Sequence, residues 1–226
     1  MRINEIFYSI QGEGFLAGLP STFIRLAGCR MRCRWCDTKY AWDESAGRDF
    51  TIEKIIQIVE GYETRFVVVT GGEPMINCDL LQLIEALKAA DKHITIETSG
   101  TAYIPDMPCD LMSISPKLEN STPADPDLAA IHGKYKPDIA VLSELIDRYR
   151  YQLKFVIDSQ DDLIGIHDLL DKLPKVDIQK AMLMPQAATR DELITKSPMV
   201  ADLCKSIGFA FCQRLHILLW DGQQGK

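Results

Sequence analysis

Short runs of β-branched and aliphatic residues alternate with amphipathic segments along most of this chain, and this alternation limits the possible folds more than any other feature. The strand-like runs lie at residues 21–28, 65–74, 93–100, 110–117, 151–158, 181–186 and 213–220. Strands that alternate with helices form parallel βαβ units. About six or seven such units predict an α/β fold, an incomplete (β/α) barrel with parallel strands. The 226 residues are enough for one sizeable core, so we expect 1–226 to form a single domain.

The segments between these runs carry local signals for helices. Apolar residues recur at helical spacing in 51–60, in 137–149 and in the segment that Asp79 could cap. Further signals predict a helix that opens at Ser159, a capping box from Thr189 to Glu192, and a helix break with a restart at Ser197-Pro198. The stretch 116–136 is rich in proline and turn formers and predicts an irregular loop.

Charge and hydropathy argue against several classes of partner. The net charge is −7, which predicts no binding to nucleic acid or to an anionic membrane surface. The apolar runs are far shorter than the roughly 20 residues that span a bilayer, and the first residues do not resemble a secretory signal, so we expect a cytoplasmic protein. The stretch 25–39 is locally basic, which indicates either a solvated face or an anionic cofactor nearby.

Three of the seven cysteines are concentrated in the segment AGCRMRCRWCDTKYAW, at Cys29, Cys33 and Cys36. An odd number of cysteines without a secretory signal argues against a disulfide framework, and closely spaced thiols in a reducing compartment indicate a metal site. Zinc prefers four protein ligands and would need a distant histidine here. A four-iron cluster normally takes four thiolates, so three would leave one iron for a non-protein ligand. The other four cysteines are expected to be small buried hydrophobic residues; they are Cys78, Cys109, Cys204 and Cys212.

The spacing Cys29-x-x-x-Cys33-x-x-Cys36, with Trp35 before the last cysteine, resembles the cluster loop of radical S-adenosylmethionine (SAM) enzymes. The resemblance implies a 4Fe–4S cluster whose open iron binds SAM and generates a 5′-deoxyadenosyl radical. The segment GGEP at 71–74, which follows a predicted strand, resembles the part of that family that binds the SAM amino group. Taken alone, two glycines after a buried strand could equally form an ordinary turn.

A wider set of motifs resembles the 7-carboxy-7-deazaguanine synthase family. The motifs are SIQGEG, GxPxxFIRLxGC, CxWCDT, TGGEP, ETSG, SPK and RLHxLLW, and the segments that match least well are 118–136 and the last six residues. The resemblance implies conversion of 6-carboxy-5,6,7,8-tetrahydropterin to 7-carboxy-7-deazaguanine with loss of ammonia. It also implies a flavodoxin- or ferredoxin-type reductant and a homodimer.

The same resemblance implies roles for individual residues. The three cysteines would bind the cluster, and Thr38 would bind Mg²⁺ together with the substrate carboxylate and water, a ligand set that suits magnesium. Residues implied in binding SAM are Trp35, Asp37, Gly72, Glu73, Ser99, Ser115, Pro116 and Lys117. Residues implied in binding the pterin are Ile10, Gln11, Gly12, Glu13, Arg25, Thr70, Gln186 and His216.

Physical chemistry gives several of these roles a rationale. A carboxylate such as Glu13 can accept from the guanidine-like N–H pair of a pterin, and the Arg25 fork suits the substrate carboxylate. The residues alone leave simpler alternatives for Thr38, a turn hydroxyl, and for His216, a core histidine in a strand whose neighbours Leu215 and Ile217 face the other way. Two other functions also remain: a radical SAM activase that acts on a partner enzyme, and a non-catalytic metal-binding module.

Overall fold

A nine-stranded sheet organises the computed structural model, which describes residues 1–173, 175–223 and 225. The strands are β1 (Arg2–Ile10), β2 (Pro20–Leu26), β3 (Arg48–Asp49), β4 (Phe66–Gly71), β5 (His93–Thr98), β6 (Leu111–Ile114), β7 (Tyr151–Ile157), β8 (Ala181–Pro185) and β9 (Ala210–Phe211). The helices are α1 (Ile52–Glu60), α2 (Leu80–Ala89), α3 (Pro126–His132), α4 (Ile139–Arg148), α5 (Asp162–Leu170), α6 (Arg190–Ile207) and α7 (Leu215–Trp220).

The order of the strands confirms the predicted α/β fold with a sheet that does not close. The order is β3-β1-β2-β4-β5-β6-β7-β8-β9, and every neighbouring pair from β2 to β9 is parallel. Strands β1 and β3 are antiparallel additions at one edge, which the sequence patterns do not predict. Because all the described strands belong to one sheet, the structure gives no second sheet within those ranges. The assignment of 1–226 to a single domain stays a prediction.

The core lies between the sheet and its helices. The continuous apolar run of β4 is buried, as expected for a parallel strand covered by helices on one face and by the barrel interior on the other. Val67 and Val69 of β4 and Ile94 and Ile96 of β5 pack in one cluster with the buried face of α2. This packing fixes where β4 and β5 end, and therefore where the motifs that follow them lie.

Three local predictions after residue 150 are wrong. Residues 213–220 contain no strand and instead lead into α7 (Leu215–Trp220), in which Ile217 and Leu218 both donate to the Arg214 carbonyl. Helix α6 passes through Pro198 without a break, and the Ser197 hydroxyl donates to the Leu193 carbonyl beside it. Helix α5 begins at Asp162 and not at Ser159. The predicted capping box of Thr189 and Glu192 is confirmed at the start of α6.

The segment 118–136 is not an irregular loop. It contains a short 3₁₀ turn at Glu119–Ser121, helix α3, and a second 3₁₀ turn at Gly133–Tyr135. Asp125 caps α3 by accepting from the Leu128 N–H, and Pro126 occupies the first turn, where its missing N–H is tolerated.

Two further findings bear on the cysteines and on membranes. Cys204 and Cys212 are buried as expected and Cys109 is partly buried, but Cys78 is exposed because it precedes the N-cap of α2 at the surface. In the part of the chain that the structure describes, no helix has both the length and the apolar character needed to cross a membrane.

Candidate active site

The carboxyl ends of the parallel strands surround a cavity of about 450 Å³, a volume typical of small-molecule sites. Most of the residues that the sequence analysis singled out line it. They are Ile10, Gln11, Gly12, Glu13, Arg25, Cys29, Cys33, Trp35, Cys36, Asp37, Thr38, Thr70, Gly72, Ser99, Ser115, Lys117, Gln186 and His216. Glu73 and Pro116 are not part of this lining.

The three thiols stand on a loop that leaves the end of β2. Two backbone hydrogen bonds fix the start of this loop. The Gly28 N–H donates to the Ala41 carbonyl at 2.9 Å, and the Cys29 N–H donates to the Trp42 carbonyl at 3.0 Å. Burial raises the pKa of Cys29 to about 12 and that of Cys33 to about 11, although Lys117 lowers the latter. In the polypeptide alone both thiols are therefore neutral at physiological pH, and a metal that binds them must displace protons.

Steric fit accounts for the glycine pair after β4. A Cβ on Gly72 would collide with the Gly28 carbonyl and with the Cys29 side chain. Two backbone hydrogen bonds form where these two segments meet. The Gly72 N–H donates to the Leu26 carbonyl, and the Glu73 N–H donates to the Gly28 carbonyl. Only glycine lets the GGEP segment pack directly against the cysteine loop.

Glu73 lies behind the cavity wall and joins two strand ends. Its carboxylate accepts from the Thr98 hydroxyl at 2.7 Å, from the Ser99 N–H at 2.7 Å and from the Ser99 hydroxyl. The side chain is 4% exposed and also caps the short turn at 74–76 through the Met75 N–H. These contacts position Ser99 at the cavity, while the predicted SAM contact of Glu73 itself stays a prediction.

A buried ionic network forms another part of the cavity wall. Lys154 of β7 donates to Glu13 at 2.8 Å and to Glu97 of β5 at 3.3 Å, and its side chain is 3% exposed. Burial alone would raise the pKa of Glu13, but Lys154 and Arg214 outweigh it and hold that pKa far below its usual range. Burial would lower the pKa of Lys154, and the two carboxylates raise it above its usual range. Both partners therefore stay charged at neutral pH.

Sequence analysis missed Glu97, Lys154 and Arg214, all three of which line the cavity. Glu97 connects two residues that were predicted to bind the pterin, since it accepts from Gln11 at 3.3 Å and from Thr70 at 3.2 Å. A usable signal was present: lysine is rarely buried unless it is paired, and Lys154 stands alone in the apolar run YQLKFVID.

The segment after β1 closes the open side of the barrel. The Gly12 carbonyl accepts from the Leu215 N–H at 2.9 Å, and the Gly14 N–H reaches the Cys212 sulfur at 3.2 Å. Arg214 donates to Glu13 at 3.2 Å across the same junction. The first and last parts of the chain together build this wall, which the sheet leaves unfinished.

His216 belongs to this junction, but as the second residue of α7 and not as part of a strand. Its ring lies so close to Gly12 that a Cβ there would collide with Nδ1. Burial lowers the pKa of His216, so the imidazole is neutral at physiological pH and offers one donor and one acceptor.

The basic stretch 25–39 divides between paired and exposed cations. Arg25 donates to Glu5 at 2.7 Å while it lines the cavity, and Arg34 pairs with Asp158 at 2.8 Å. Arg30 and Lys39 are exposed. Some cations of the stretch are therefore solvated, while Arg25 faces the cavity, and an anionic cofactor beside the stretch stays a prediction.

Thr38 and Asp37 lie beside the thiols. The Thr38 hydroxyl is 3.6 Å from the Cys36 sulfur and makes no capping bond to the turn at Lys39–Ala41. The Asp37 carboxylate is paired with Arg214 at 2.6 Å. Within the described ranges, no group of three or more His, Cys, Asp or Glu side chains is arranged so that it could bind a single metal ion. A cation at Thr38 would thus depend on oxygen atoms from substrate and solvent.

The comparisons with known proteins agree with this arrangement. Residues 23–117 match the Radical SAM superfamily, a range that runs from β2 through the SPK turn. A 7-carboxy-7-deazaguanine synthase of Halobacterium salinarum is 40% identical over 97% of this chain and 90% of its own length. One from Rhodopirellula baltica is 39% identical over 99% of this chain and 88% of its own length. The chain belongs to the 7-carboxy-7-deazaguanine synthase family.

A solved structure supports the same family assignment. QueE from Escherichia coli superimposes with a TM-score of 0.74 over 95% of this chain and 94% of its own, at 27% identity. SuiB of Streptococcus suis, solved with S-adenosylmethionine, gives a TM-score of 0.53 at 15% identity over 81% of this chain and 44% of its own, and shows only a shared fold. The family does not favour the activase or the non-catalytic module.

Membership in the radical SAM superfamily implies a 4Fe–4S cluster and SAM, and the residues present fit both. Three free thiols line one end of the cavity, as the cluster requires. The buried indole Nε1 of Trp35 has no hydrogen-bond partner among the described residues, although Trp35 lines the same space. A buried donor without a partner is costly, and a polar ligand in the cavity would satisfy it.

Proposed function

We propose that this protein is a carbon–nitrogen lyase that converts 6-carboxy-5,6,7,8-tetrahydropterin to 7-carboxy-7-deazaguanine with loss of ammonia, in queuosine and 7-deazapurine synthesis. The observation that carries the proposal is one cavity lined both by three free thiols and by a buried network of paired charges. The first feature suits a cluster and the second a polar, carboxylated heterocycle. The bound cluster and SAM would supply the radical that removes a hydrogen atom from the substrate.

The ionic wall supports a specific orientation of the pterin. Glu13 stays ionised, so it is an acceptor only, and its two oxygens keep lone pairs beyond those used by Lys154 and Arg214. Those lone pairs suit the N–H groups on the pyrimidine edge of a pterin. Arg25 and the neutral His216 would hold the substrate carboxylate, and Gln186 and Thr70 would contact the ring from neighbouring strand ends.

Most of the residues proposed to bind the cluster and SAM lie on the part of the cavity wall that carries the thiols and the nearby strand ends. Cys29, Cys33 and Cys36 would hold the cluster, and Gly72, Ser99, Ser115 and Lys117 would bind SAM at the strand ends nearest to them. Trp35 and Asp37 would contribute backbone to the SAM site, with Glu73 and Pro116 acting from behind the wall.

Magnesium, the electron donor and the assembly complete the proposal. Thr38 would supply its hydroxyl to Mg²⁺, whose preference for oxygen ligands and retained waters fits a site shared with substrate. The reductant would be of flavodoxin or ferredoxin type, and the protein would be a homodimer in the cytoplasm, where thiols stay reduced.

A product assay tests the proposed reaction. Protein with a reconstituted cluster is reduced and incubated without oxygen with SAM, Mg²⁺ and carboxytetrahydropterin, and the mixture is analysed by mass spectrometry. We expect 7-carboxy-7-deazaguanine in excess over enzyme. Loss of SAM without this product, in protein with full cluster content, would refute the proposal.

A further inference from the structure

The segment 118–136, which resembles the family least, makes direct contact with the cysteine loop. The imidazole of His132, at the end of α3, accepts at Nδ1 from the Arg32 N–H at 3.2 Å. The Ser121 carbonyl accepts from the Arg34 N–H at 2.9 Å. Arg32 and Arg34 are the two residues that flank Cys33, so this segment binds the peptide on both sides of that thiol.

His132 is itself fixed by a second contact. Its Nε2 lies 2.9 Å from the Ser121 hydroxyl, and that hydroxyl donates to the Leu118 carbonyl at 2.5 Å. Because Nδ1 accepts a hydrogen bond, the ring proton is on Nε2 and is donated to Ser121. His132 is 4% exposed, so water does not compete for either nitrogen.

The Arg32 side chain strengthens the same turn from the other side. Its guanidinium donates to the Cys29 carbonyl at 2.6 Å and to the Met31 carbonyl at 2.8 Å, and it covers the Trp42 ring at 5.1 Å. The turn from Cys29 to Cys33 is thus held by its own arginine and by one imidazole from outside. Groups that orient metal ligands in this way commonly change metal affinity by about 10- to 100-fold when removed.

We propose that His132 is a positioning residue that fixes the turn around Cys33 and thereby the thiol for the cluster. The inference rests on the proposed function only in that the thiols hold a cluster. It adds a role for 118–136, which supplies a side chain that binds the backbone of the cysteine loop.

The test compares three replacements of one residue in the full-length protein with its cluster reconstituted. In His132→Asn the amide can still accept near the Nδ1 position, whereas in His132→Gln it reaches the Nε2 position instead. His132→Ala removes both contacts. The control is His93→Ala, which removes a partly buried imidazole that packs on Phe66 at the opposite end of the strands.

Besides catalytic turnover, two measurements report directly on the backbone turn around Cys33. One is the rate of iron release to a chelator, and the other is the rate at which Cys33 is alkylated in the iron-free full-length chain. We expect about tenfold faster iron release for the Ala and Gln variants, with faster alkylation of Cys33 and an altered EPR spectrum of the reduced cluster. The Asn variant should stay close to wild type, as should His93→Ala.

The contrast between Asn and Gln keeps the proposal falsifiable even if His132→Ala does not fold. Equal behaviour of Asn and Gln in iron release, or wild-type behaviour of both, would overturn it. Failure of the product assay in wild-type protein with a stable cluster would reject the proposed reaction and leave the role of His132 standing.

Discussion

The two ends of the cavity accommodate buried polar groups in opposite ways. At the thiol end, Cys29 and Cys33 remain protonated because burial raises the pKa of each. At the ionic end, Glu13 and Lys154 remain charged because each lies beside the other, 2.8 Å apart. Cys29 and Cys33 lose their protons only when a metal binds, whereas Glu13 and Lys154 are each other's counter-ions from the moment the protein folds.

Because of this difference, binding of the cofactor and folding of the polypeptide should respond to different substitutions. A substitution at the thiol end should remove the cofactor and leave the polypeptide intact, since no internal ion pair is broken. A substitution at the ionic end should destabilise the protein, since a charge left alone in a buried site is costly. The four predictions that follow test this separation, in order of decreasing effect.

The largest effect is expected for Cys33→Ala. The variant should lose product formation entirely and fail to retain a four-iron cluster, while its far-UV circular dichroism and unfolding midpoint stay close to wild type. Iron content, turnover and thermal unfolding measure this. Cys78→Ala, at an exposed cysteine, is the control and should keep both iron and turnover. Retention of iron and activity by Cys33→Ala would refute the cluster assignment.

Lys154→Met should lower the free energy of unfolding by about 3–5 kcal/mol, because Glu13 and Glu97 would lose their shared buried counter-ion. Urea denaturation of the iron-free protein measures the change. Lys175→Met, at an exposed pair with Asp147, should leave the midpoint almost unchanged. The double variant Lys154→Met/Glu13→Gln should recover part of the loss, and no recovery would mean that the two residues are not energetically coupled.

Thr38→Ala should raise the magnesium concentration needed for half-maximal turnover by about 10- to 100-fold, with iron content and SAM binding unchanged. Thr38→Ser keeps the hydroxyl and should stay close to wild type. If iron content, SAM binding and turnover fall together in Thr38→Ala, the residue stabilises the loop and does not bind magnesium.

The smallest effect concerns pH and His216. Burial lowers the pKa of this imidazole in the folded protein below the value of about 6.5 that it has when unfolded. Below that pH the unfolded state binds more protons, so the free energy of unfolding falls on acidification, with a slope of at most about 1.4 kcal/mol per pH unit from one group. His216→Asn should make the decline between pH 6.5 and 5 shallower. The exposed His167→Asn should leave it unchanged, and an equal slope in both variants would contradict the assignment.

Much of the thiol end could be predicted from sequence because its signals are local. The cysteine spacing, the glycine pair and the β-branched run before it all lie within about fifty residues, and each has a direct structural cause. Gly72, for example, is required by its contact with the cysteine loop. Likewise, the capping box at Thr189 depends only on residues within one helical turn.

The ionic end was harder to predict because its parts are distant in sequence. Glu13, Glu97 and Lys154 meet only after four strands have paired in the correct order, and no local pattern reports that meeting. The sequence predicts a strand at 213–220 because eight residues with alternating apolar character fit both the two-residue period of a strand and the 3.6-residue period of a helix. Helix α3, within 118–136, could have been predicted from local sequence, because Asp125 followed by Pro126 is a recognised start of a helix.

The junction of residues 12–14 with residues 212–216 has a consequence for synthesis of the protein. Glu13 and Arg214 are separated by 201 positions, so Glu13 is synthesised long before its arginine. The pocket wall can therefore assemble only after Arg214 has been synthesised, and the contact closes a loop of 201 positions. A nascent chain halted before residue 212 would already carry Cys29, Cys33 and Cys36 but would display Glu13 without its arginine, in a barrel still open to solvent.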